Sequence, residues 1–174
     1  MTRINYSILL LLIFPFSMMA QDWKTFSDPG IDFTAKYPAT WVNKIKEGKR
    51  VFFTSPPEND SDQFSENLNI SMTKNAAFGT QIKIKEAIPS VLNELENNID
   101  NFTLESEKDF KWNGNDAYEL VYTGSPKESE LTIKITQWLC FSKGRLFTAT
   151  YTSMVNNVVY VAPAKKIMES IRFR

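Results

Sequence analysis

The sequence contains no histidine and a single cysteine, and these two absences exclude several classes of chemistry. A Ser-His or Cys-His catalytic pair cannot form without an imidazole. Zinc, copper and iron sites depend on imidazole and thiolate donors, so we predict no transition-metal site and no cofactor. The lone cysteine, Cys140, cannot form an internal disulfide, so the hydrophobic core alone must stabilise the fold.

The chain also lacks an excess of charge of either sign. It has 20 lysines and arginines and 20 aspartates and glutamates, for a formal net charge of zero. Proteins that bind nucleic acid use a clustered basic surface to displace counterions from the phosphates. We therefore predict no nucleic-acid partner.

The longest apolar run lies at the N-terminus, from Tyr6 to Ala20, and it follows a positive charge. A helix needs about 20 apolar residues to cross a bilayer, and this run is shorter. Ala20 is a small residue that would precede a cut at Gln21. We predict that residues 1–20 are a cleaved signal peptide. Residues 21–174 should form one exported domain, periplasmic or secreted, with no membrane span after cleavage.

Downstream of this segment, short runs in which apolar and polar residues alternate predict strands. Turn sequences such as Asn113-Gly114-Asn115 and Lys143-Gly144 separate them, and consecutive strands joined by short turns form an antiparallel meander. The predicted strands are Trp23–Phe26, Ile31–Tyr37, Trp41–Ile45, Arg50–Thr54, Asn67–Met72, Leu104–Trp112, Ala117–Tyr122, Glu130–Phe141 and Arg145–Ser153, with Ile171–Arg174 as a candidate last edge strand.

One long helix and one short helix complete the predicted elements. An apolar stripe with helical spacing predicts the long helix. Pro89 fits best in a first turn, where its missing N–H costs nothing, so we predict that the helix begins near Ile88. The short helix is predicted over Ala162–Ser170. The stripe consists of Ile84, Ile88, Leu92, Leu95, Ile99 and Phe102.

The predicted strand that ends at Phe141 is apolar on both faces. Leu131, Ile133, Ile135, Leu139 and Phe141 share one face, and Trp138 and Cys140 lie on the other. A sheet that is apolar on both faces must be covered on both. The fold class predicted from this pattern is α/β (α+β), an antiparallel sheet flanked by helices on both faces.

Four motifs occur in order over nearly the whole of residues 21–174. In this order they resemble the PsbP family, which is named after an extrinsic subunit of photosystem II. The motifs are Tyr37-Pro38 with Trp41, Phe64 with Asn67-Leu68-Asn69-Ile70, Lys143-Gly144-Arg145-Leu146-Phe147, and Ala164-Lys165-Lys166-Ile167-Met168-Glu169-Ser170-Ile171.

The resemblance implies an antiparallel sheet flanked by helices, and non-catalytic partner proteins rather than enzymes. The photosynthetic member supports the manganese cluster of photosystem II, a fold relative binds the nuclear transport GTPase Ran, and many bacterial members are exported. Fold alone does not determine function. The chain lacks histidines of the kind associated with metal sites in the photosynthetic member, so we do not expect a photosystem role.

Two groups of side chains are candidates for binding. Aromatic side chains can line a pocket, although in strands they more often pack in a core. Acidic side chains in one loop could bind calcium, but Gln63 and Asn69 replace the glycine and glutamate of the EF-hand template, so binding should be weak. The candidate pocket residues are Trp41, Trp112 and Trp138, and the candidate calcium ligands are Glu58, Asp60, Asp62 and Glu66.

No catalytic residue is predicted. Ser71 and Lys74 match the Ser-x-x-Lys motif of penicillin-interacting enzymes, but that motif needs a helix start. Here it closes a predicted strand, in which residues i and i+3 point to opposite faces. Cys140 lies mid-strand between apolar neighbours, which is typical of a small buried hydrophobe.

Three functions remain open on the sequence alone. The first is an exported, non-catalytic accessory protein of the cell envelope that acts through a protein partner. The second is a module that binds a small apolar ligand in an aromatic pocket. The third, which the sequence favours least, is a hydrolase that uses carboxylates or Lys74. We predict that the protein is not an enzyme.

Overall fold

A computed structural model of the protein describes residues 22–74 and 82–174. Its helices are α1 (Ile84–Asn98) and α2 (Val161–Ser170), and a short 3-10 turn spans Glu47–Lys49. The predicted signal peptide and its cut at Gln21 lie outside the described residues. The strands are β1 (Trp23–Ser27), β2 (Phe33–Pro38), β3 (Val42–Lys46), β4 (Arg50–Thr54), β5 (Asn67–Lys74), β6 (Ile99–Trp112), β7 (Asn115–Pro126), β8 (Ile133–Ser142), β9 (Arg145–Met154) and β10 (Arg172–Phe173).

The strands form two antiparallel sheets. The larger sheet has the order β3-β4-β5-β9-β8-β7-β6, and the smaller has the order β1-β2-β10. The predicted meander from β6 to β9 is present, because each of these strands pairs with the next. Asn113 and Gly114, and likewise Lys143 and Gly144, have positive φ, the geometry of a two-residue hairpin turn that matches strand twist.

Two hydrophobic cores lie on opposite faces of the larger sheet. On β8, Ile135 and Leu139 face one core, together with Ile84 and Ile88 of α1. Trp138 and Cys140 face the other core, which also contains Phe33 of the smaller sheet and Ile167 of α2. The prediction from sequence that this strand is apolar on both faces is therefore confirmed.

The predicted arrangement of layers is confirmed only in part. The fold is mixed α/β, with two antiparallel sheets and two helices in the described residues. Flanking helices as the cover of both faces are not confirmed, because the three-stranded sheet lies on the face opposite α1, and α2 packs against β2 of that smaller sheet. The sequence did not reveal the second sheet, since β10 joins β2 from the far end of the chain.

The long helix differs from its prediction at both ends. It begins at Ile84, so Pro89 lies inside it instead of in its first turn. An interior proline costs about 3 kcal/mol. Burial of Ile84 and Ile88 offsets this cost, at about 1.5 to 3 kcal/mol per fully buried side chain.

The helix ends at Asn98, and the last two residues of the predicted stripe belong to β6 instead. Ile99 and Phe102 still pack against the core beneath α1, which explains why they continued its apolar pattern. At the start of β8 the boundary also shifts, because Leu131 precedes the strand and is 51% exposed.

Long-range hydrogen bonds attach α2 to both sheets. The indole N–H of Trp112 donates to the Met168 carbonyl at 2.9 Å, which joins β6 to the helix. The Ser170 hydroxyl accepts from the Lys36 amide at 2.8 Å, which joins the helix to β2. An ion pair between Arg145 and Asp32 connects β9 to the segment before β2. These contacts hold α2 and the smaller sheet against the larger sheet.

A glycine at the β6–β7 pairing provides a test of this packing. A Cβ at Gly124 would lie 2.3 Å from Ile99 Cγ2 and 3.0 Å from the Asp100 carbonyl oxygen. We expect Gly124→Ala to lower the free energy of unfolding by about 1 to 3 kcal/mol, the usual cost of overpacking, measured by denaturant titration.

Two further variants distinguish the steric clash with Ile99 from the backbone cost of replacing a glycine. Gly48→Ala has no atom near the new Cβ, so only its left-handed φ should cost free energy, about 1 kcal/mol. Gly124→Ala should cost less in an Ile99→Ala background than in the wild type. An unchanged cost in that background would contradict the role of Ile99.

Candidate functional site

An open cleft of about 680 Å³ lies between α2 and the outer strands of the larger sheet. Ligand sites are typically concave and fall in the range of about 300 to 1,000 Å³. The sheet contributes Lys108, Phe110 and Trp112 from β6, Glu119 from β7 and Trp138 from β8, and the other wall contains Lys165, Glu169 and Arg172. We call this site the α2 cleft.

Three aromatic rings line the sheet side of the α2 cleft. The Phe110 and Trp138 ring centroids are 4.7 Å apart, and the Trp112 ring meets Trp138 edge-on at 5.5 Å. Trp112 and Trp138 are buried, and Phe110 is half-buried. Because the rings pack against one another, they form a rigid apolar wall and expose little of the tryptophan faces.

A carboxylate stabilises this wall. Glu119 Oε2 accepts the Trp138 indole N–H at 2.5 Å, and Glu119 Oε1 pairs with Lys108 Nζ at 2.8 Å. The Glu119 side chain is only 13% exposed. Both of its oxygens are therefore satisfied, and it acts as an anchor for Trp138.

A second depression of about 190 Å³, called the inner part below, adjoins the cleft. Lys108, Glu119, Trp138 and Lys165 line both parts. The inner part adds mostly apolar side chains, which are Val121, Thr136, Tyr151, Val161 and Met168. The site therefore combines a charged mouth with a mostly apolar inner part, in which Val161 is 44% exposed.

Of the three tryptophans predicted from the sequence to line a pocket, two lie together in the structure. Trp112 and Trp138 line the α2 cleft. Trp41 is buried elsewhere, and its ring packs edge-on against Tyr160 at 5.7 Å. Trp41 therefore belongs to the packing beneath the loop before α2, away from the cleft residues.

The acidic loop between β4 and β5 forms hydrogen bonds of its own. Asp62 accepts the backbone N–H groups of Glu58 and Phe64 at 2.9 and 3.0 Å. The Asn157 amide donates to Glu58 and, at 2.6 Å, to Glu66. Asp60 is exposed. In residues 22–74 and 82–174, no three acidic or thiol side chains are placed to hold a metal ion together.

Glu66 is a buried carboxylate in this loop, with an exposure of only 1%. It accepts from Asn157 and, at 3.4 Å, from the Ser55 hydroxyl. Burial raises the pKa of Glu66 above its usual range, and the nearby negative charges of Glu58 and Asp62 raise it further. Glu66 thus links the acidic loop to the segment that precedes α2.

That segment, Val155–Tyr160, exposes three apolar side chains and is called the valine loop below. Val155, Val158 and Val159 are 36%, 75% and 57% exposed. The backbone is nevertheless well fixed, because the Asn157 N–H donates to the Met154 carbonyl and the Val159 N–H donates to Asn157 Oδ1. The valine loop is therefore an ordered surface feature beside the acidic loop.

The residues considered for catalysis are not assembled into a catalytic group. Ser71 and Lys74 lie on β5, as their alternating pattern predicts. Cys140 is fully buried in the core, and burial raises the pKa of its thiol to about 12.

Sequence reasoning missed the charged residues of the α2 cleft. Lys108, Phe110 and Trp112 alternate along one strand, which could have placed them on a common face. No local signal brings Lys165 or Arg172 to that face, because α2 reaches it only through tertiary contacts.

We expect the Cys140 thiol to react slowly with a thiol reagent in the native state and rapidly in denaturant. Thiolate is the reactive species, and both the raised pKa and full burial suppress it. Time-resolved labelling followed by intact mass would measure both rates. Native labelling as fast as that of the unfolded chain would contradict the buried position.

We expect Glu66 to make the free energy of unfolding decrease as the pH rises. Its raised pKa means that the folded state binds the proton more tightly than the unfolded state, so stability falls as the pH rises through the folded pKa. Glu66→Gln keeps an acceptor for Asn157, and Ser55 can accept from the new amide. The variant should be more stable than the wild type at neutral pH.

The higher stability of Glu66→Gln relative to the wild type should shrink as the pH is lowered into the usual pKa range of a glutamate. Thermal melts across pH would measure it, with Asp60→Asn, on the exposed part of the same loop, as the matched control. A stability difference that is constant across pH, or a variant that is less stable throughout, would refute the assignment.

Among the described residues, no helix is long and apolar enough to cross a membrane.

No curated protein matches the chain significantly. The chain does match one family model and a set of solved structures.

Three solved structures illustrate the shared fold at low sequence identity. A Pseudomonas aeruginosa protein of unknown function is 16% identical with a TM-score of 0.63, covering 87% of this chain and 97% of that one. Cyanobacterial PsbP from Synechocystis sp. PCC 6803 is 15% identical with a TM-score of 0.59, covering 91% and 96%. LpqN of Mycobacterium tuberculosis, described as involved in cell envelope biogenesis, is 14% identical with a TM-score of 0.55, covering 84% and 88%.

The family assignment comes from the sequence match. The model described as PsbP-like protein matches residues 17–171, which is most of the chain. The motifs from Tyr37 to Ile171 lie within this range. The chain therefore belongs to the PsbP-like protein family.

Proposed function

We propose that the chain is an exported, non-catalytic accessory protein of the cell envelope that acts by binding a protein partner. The observation that carries the proposal is the valine loop, in which three exposed valines lie within six residues. Single exposed hydrophobic residues are common, but a concentration of them is typical of an interaction site. The location would be periplasmic or extracellular.

The valine loop has the rigidity that a binding surface needs. Its turn is closed by the bond from Asn157 to Met154, and the Asn157 side chain is anchored on Glu58 and Glu66. An ordered loop loses little conformational entropy when a partner binds, so the apolar area that it buries contributes more fully to affinity.

The acidic loop beside the valines defines the chemistry of the partner. Glu58 contacts Asn157, and both Glu58 and Asp62 act electrostatically on Tyr160 at the end of the valine loop. A partner that presents an apolar side chain next to lysine or arginine would match this surface. Complementary charge at the rim would mainly speed association and select the partner.

The family and one structural neighbour support a role of this kind. The resemblance to the PsbP family implies non-catalytic partner proteins, and LpqN is described as involved in cell envelope biogenesis. The N-terminal apolar run fits export. Identities near 15% relate the folds only, so the valine loop itself carries the argument for a partner.

The two alternatives are less well supported. A wholly apolar ligand does not suit the α2 cleft, because lysines and an arginine line its mouth. A hydrolase would need a pair of free carboxylates in that cleft, but of the described acidic residues only Glu119 and Glu169 line it, and Glu119 is bound by Trp138 and Lys108. Oxygens that already accept two strong hydrogen bonds are poorly suited to general acid–base chemistry.

Cross-linking from the valine loop tests the proposal. A photo-reactive phenylalanine analogue at position 158 should give one discrete cross-linked species in intact cells. Val159→Asp in the same chain should lower the yield by about tenfold, as expected for the loss of a central apolar contact. The thermal midpoint should change little, because Val159 is exposed and forms no core contact.

The matched control places the same analogue at Leu131, which is 51% exposed but lies outside the valine loop. Position 131 should not give the discrete species. The proposal fails if position 158 gives no discrete species, or if positions 131 and 158 give the same pattern.

A further inference from the structure

We propose that the α2 cleft binds a small amphipathic anion, a carboxylate or phosphate that carries a short apolar group. The site is separate from the valine loop, so this inference does not depend on the protein partner proposed above. It rests on three features of the cleft: a guanidinium at the mouth that has no ion-pair partner among the described residues, a lysine that lines both parts, and a mostly apolar inner part.

The guanidinium of Arg172 is held in place by hydrogen bonds to neutral acceptors. Its Nη1 donates to Asn113 Oδ1 at 3.2 Å and to the carbonyl oxygens of Glu169 and Ile171 at 2.8 and 2.7 Å. These acceptors are all neutral, and Arg172 forms no ion pair within residues 22–74 and 82–174. Its Nη2 and Nε donors therefore stay open to a ligand oxygen.

Lys165 adds a second, weakly compensated cation. Its Nζ is 3.9 Å from Glu169 Oε1, at the limit of an ion pair, and the side chain is 63% exposed. Lys111 and Lys108 also line the mouth, but each has a close carboxylate, Asp116 at 2.6 Å and Glu119 at 2.8 Å. Arg172 and Lys165 are therefore the groups that most favour an anion.

The positions of Arg172 and Lys165 predict the orientation in which the ligand binds. Lys165 lines both parts of the cleft, whereas Arg172 lines only the outer part. Val121, Val161 and Met168 line the inner part. An anionic head between Arg172 and Lys165 would let a short alkyl chain or a single ring enter the inner part, where burial of apolar area adds affinity.

The size of the cleft favours a single small molecule. The inner part is only about 190 Å³, which limits the apolar group to a short one. A concave site between a helix and a sheet also suits a free molecule better than the flat surface of a bilayer.

Octanoate is a suitable probe, with intrinsic tryptophan fluorescence as the readout because Trp112 and Trp138 line the cleft. We expect a saturable change with octanoate. Octanol, which lacks the charge, and acetate, which lacks the chain, should each bind at least about tenfold more weakly.

Two lysines on the same helix provide a matched pair of variants. Lys165 lines the cleft, whereas Lys166 is exposed and does not. Lys165→Glu should weaken octanoate binding by about fivefold or more, and Lys166→Glu by less than about twofold. Arg172→Gln, checked by thermal melting, should weaken binding at least as much as Lys165→Glu.

Equal effects of the two lysine variants, equal binding of octanol and octanoate, or no saturable change with octanoate would each overturn the inference. Sedimentation with vesicles distinguishes a free ligand from a lipid headgroup. Binding to phosphatidylglycerol vesicles without binding of free octanoate would also overturn it.

Discussion

The structure depends on one constraint, a central sheet that is apolar on both faces. On β8, Ile135 and Leu139 face one side, and Trp138 and Cys140 face the other. Neither face can be left in water, because each buried large apolar side chain contributes about 1.5 to 3 kcal/mol. Helix α1 covers one face, and the small sheet with α2 covers the other. The chain has no disulfide, so this double packing holds the fold together.

Incomplete cover on the second face creates the α2 cleft. The helix is fixed over the sheet by the Trp112 hydrogen bond and by burial of Ile167 and Met168, and the gap beside it remains open. The valine loop leads directly into the N-terminus of the same helix. One short helix thus adjoins both a concave cleft lined by lysines and an arginine and an ordered loop with exposed valines. The two surfaces differ in shape and charge, which is why we propose different ligands for them.

Predictions from sequence succeeded where local chemistry determines the geometry. The turns at Asn113-Gly114 and Lys143-Gly144 define two hairpins, because the glycine of each turn adopts positive φ without strain and this geometry matches the twist of the strands. The boundary between α1 and β6 was wrong for a physical reason. Ile99 and Phe102 contact the same core as the helix, so an apolar pattern that reports burial cannot reveal the change from helix to strand. The position of Pro89 was wrong because burial of its neighbours offset its local cost.

The sequence by itself determined the absence of imidazole chemistry, the alternating strands, the two apolar faces of β8 and the family. Only the tertiary structure decided that there are two sheets, that Trp112 and Trp138 share a cleft while Trp41 does not, and that Arg172 faces that cleft. The reason is the range of the interactions. Periodicity and turn chemistry act over a few residues, whereas the hydrogen bonds from Trp112 to Met168 and from Asn157 to Glu66 join distant segments. Such contacts depend on how whole elements pack, and no local pattern encodes them.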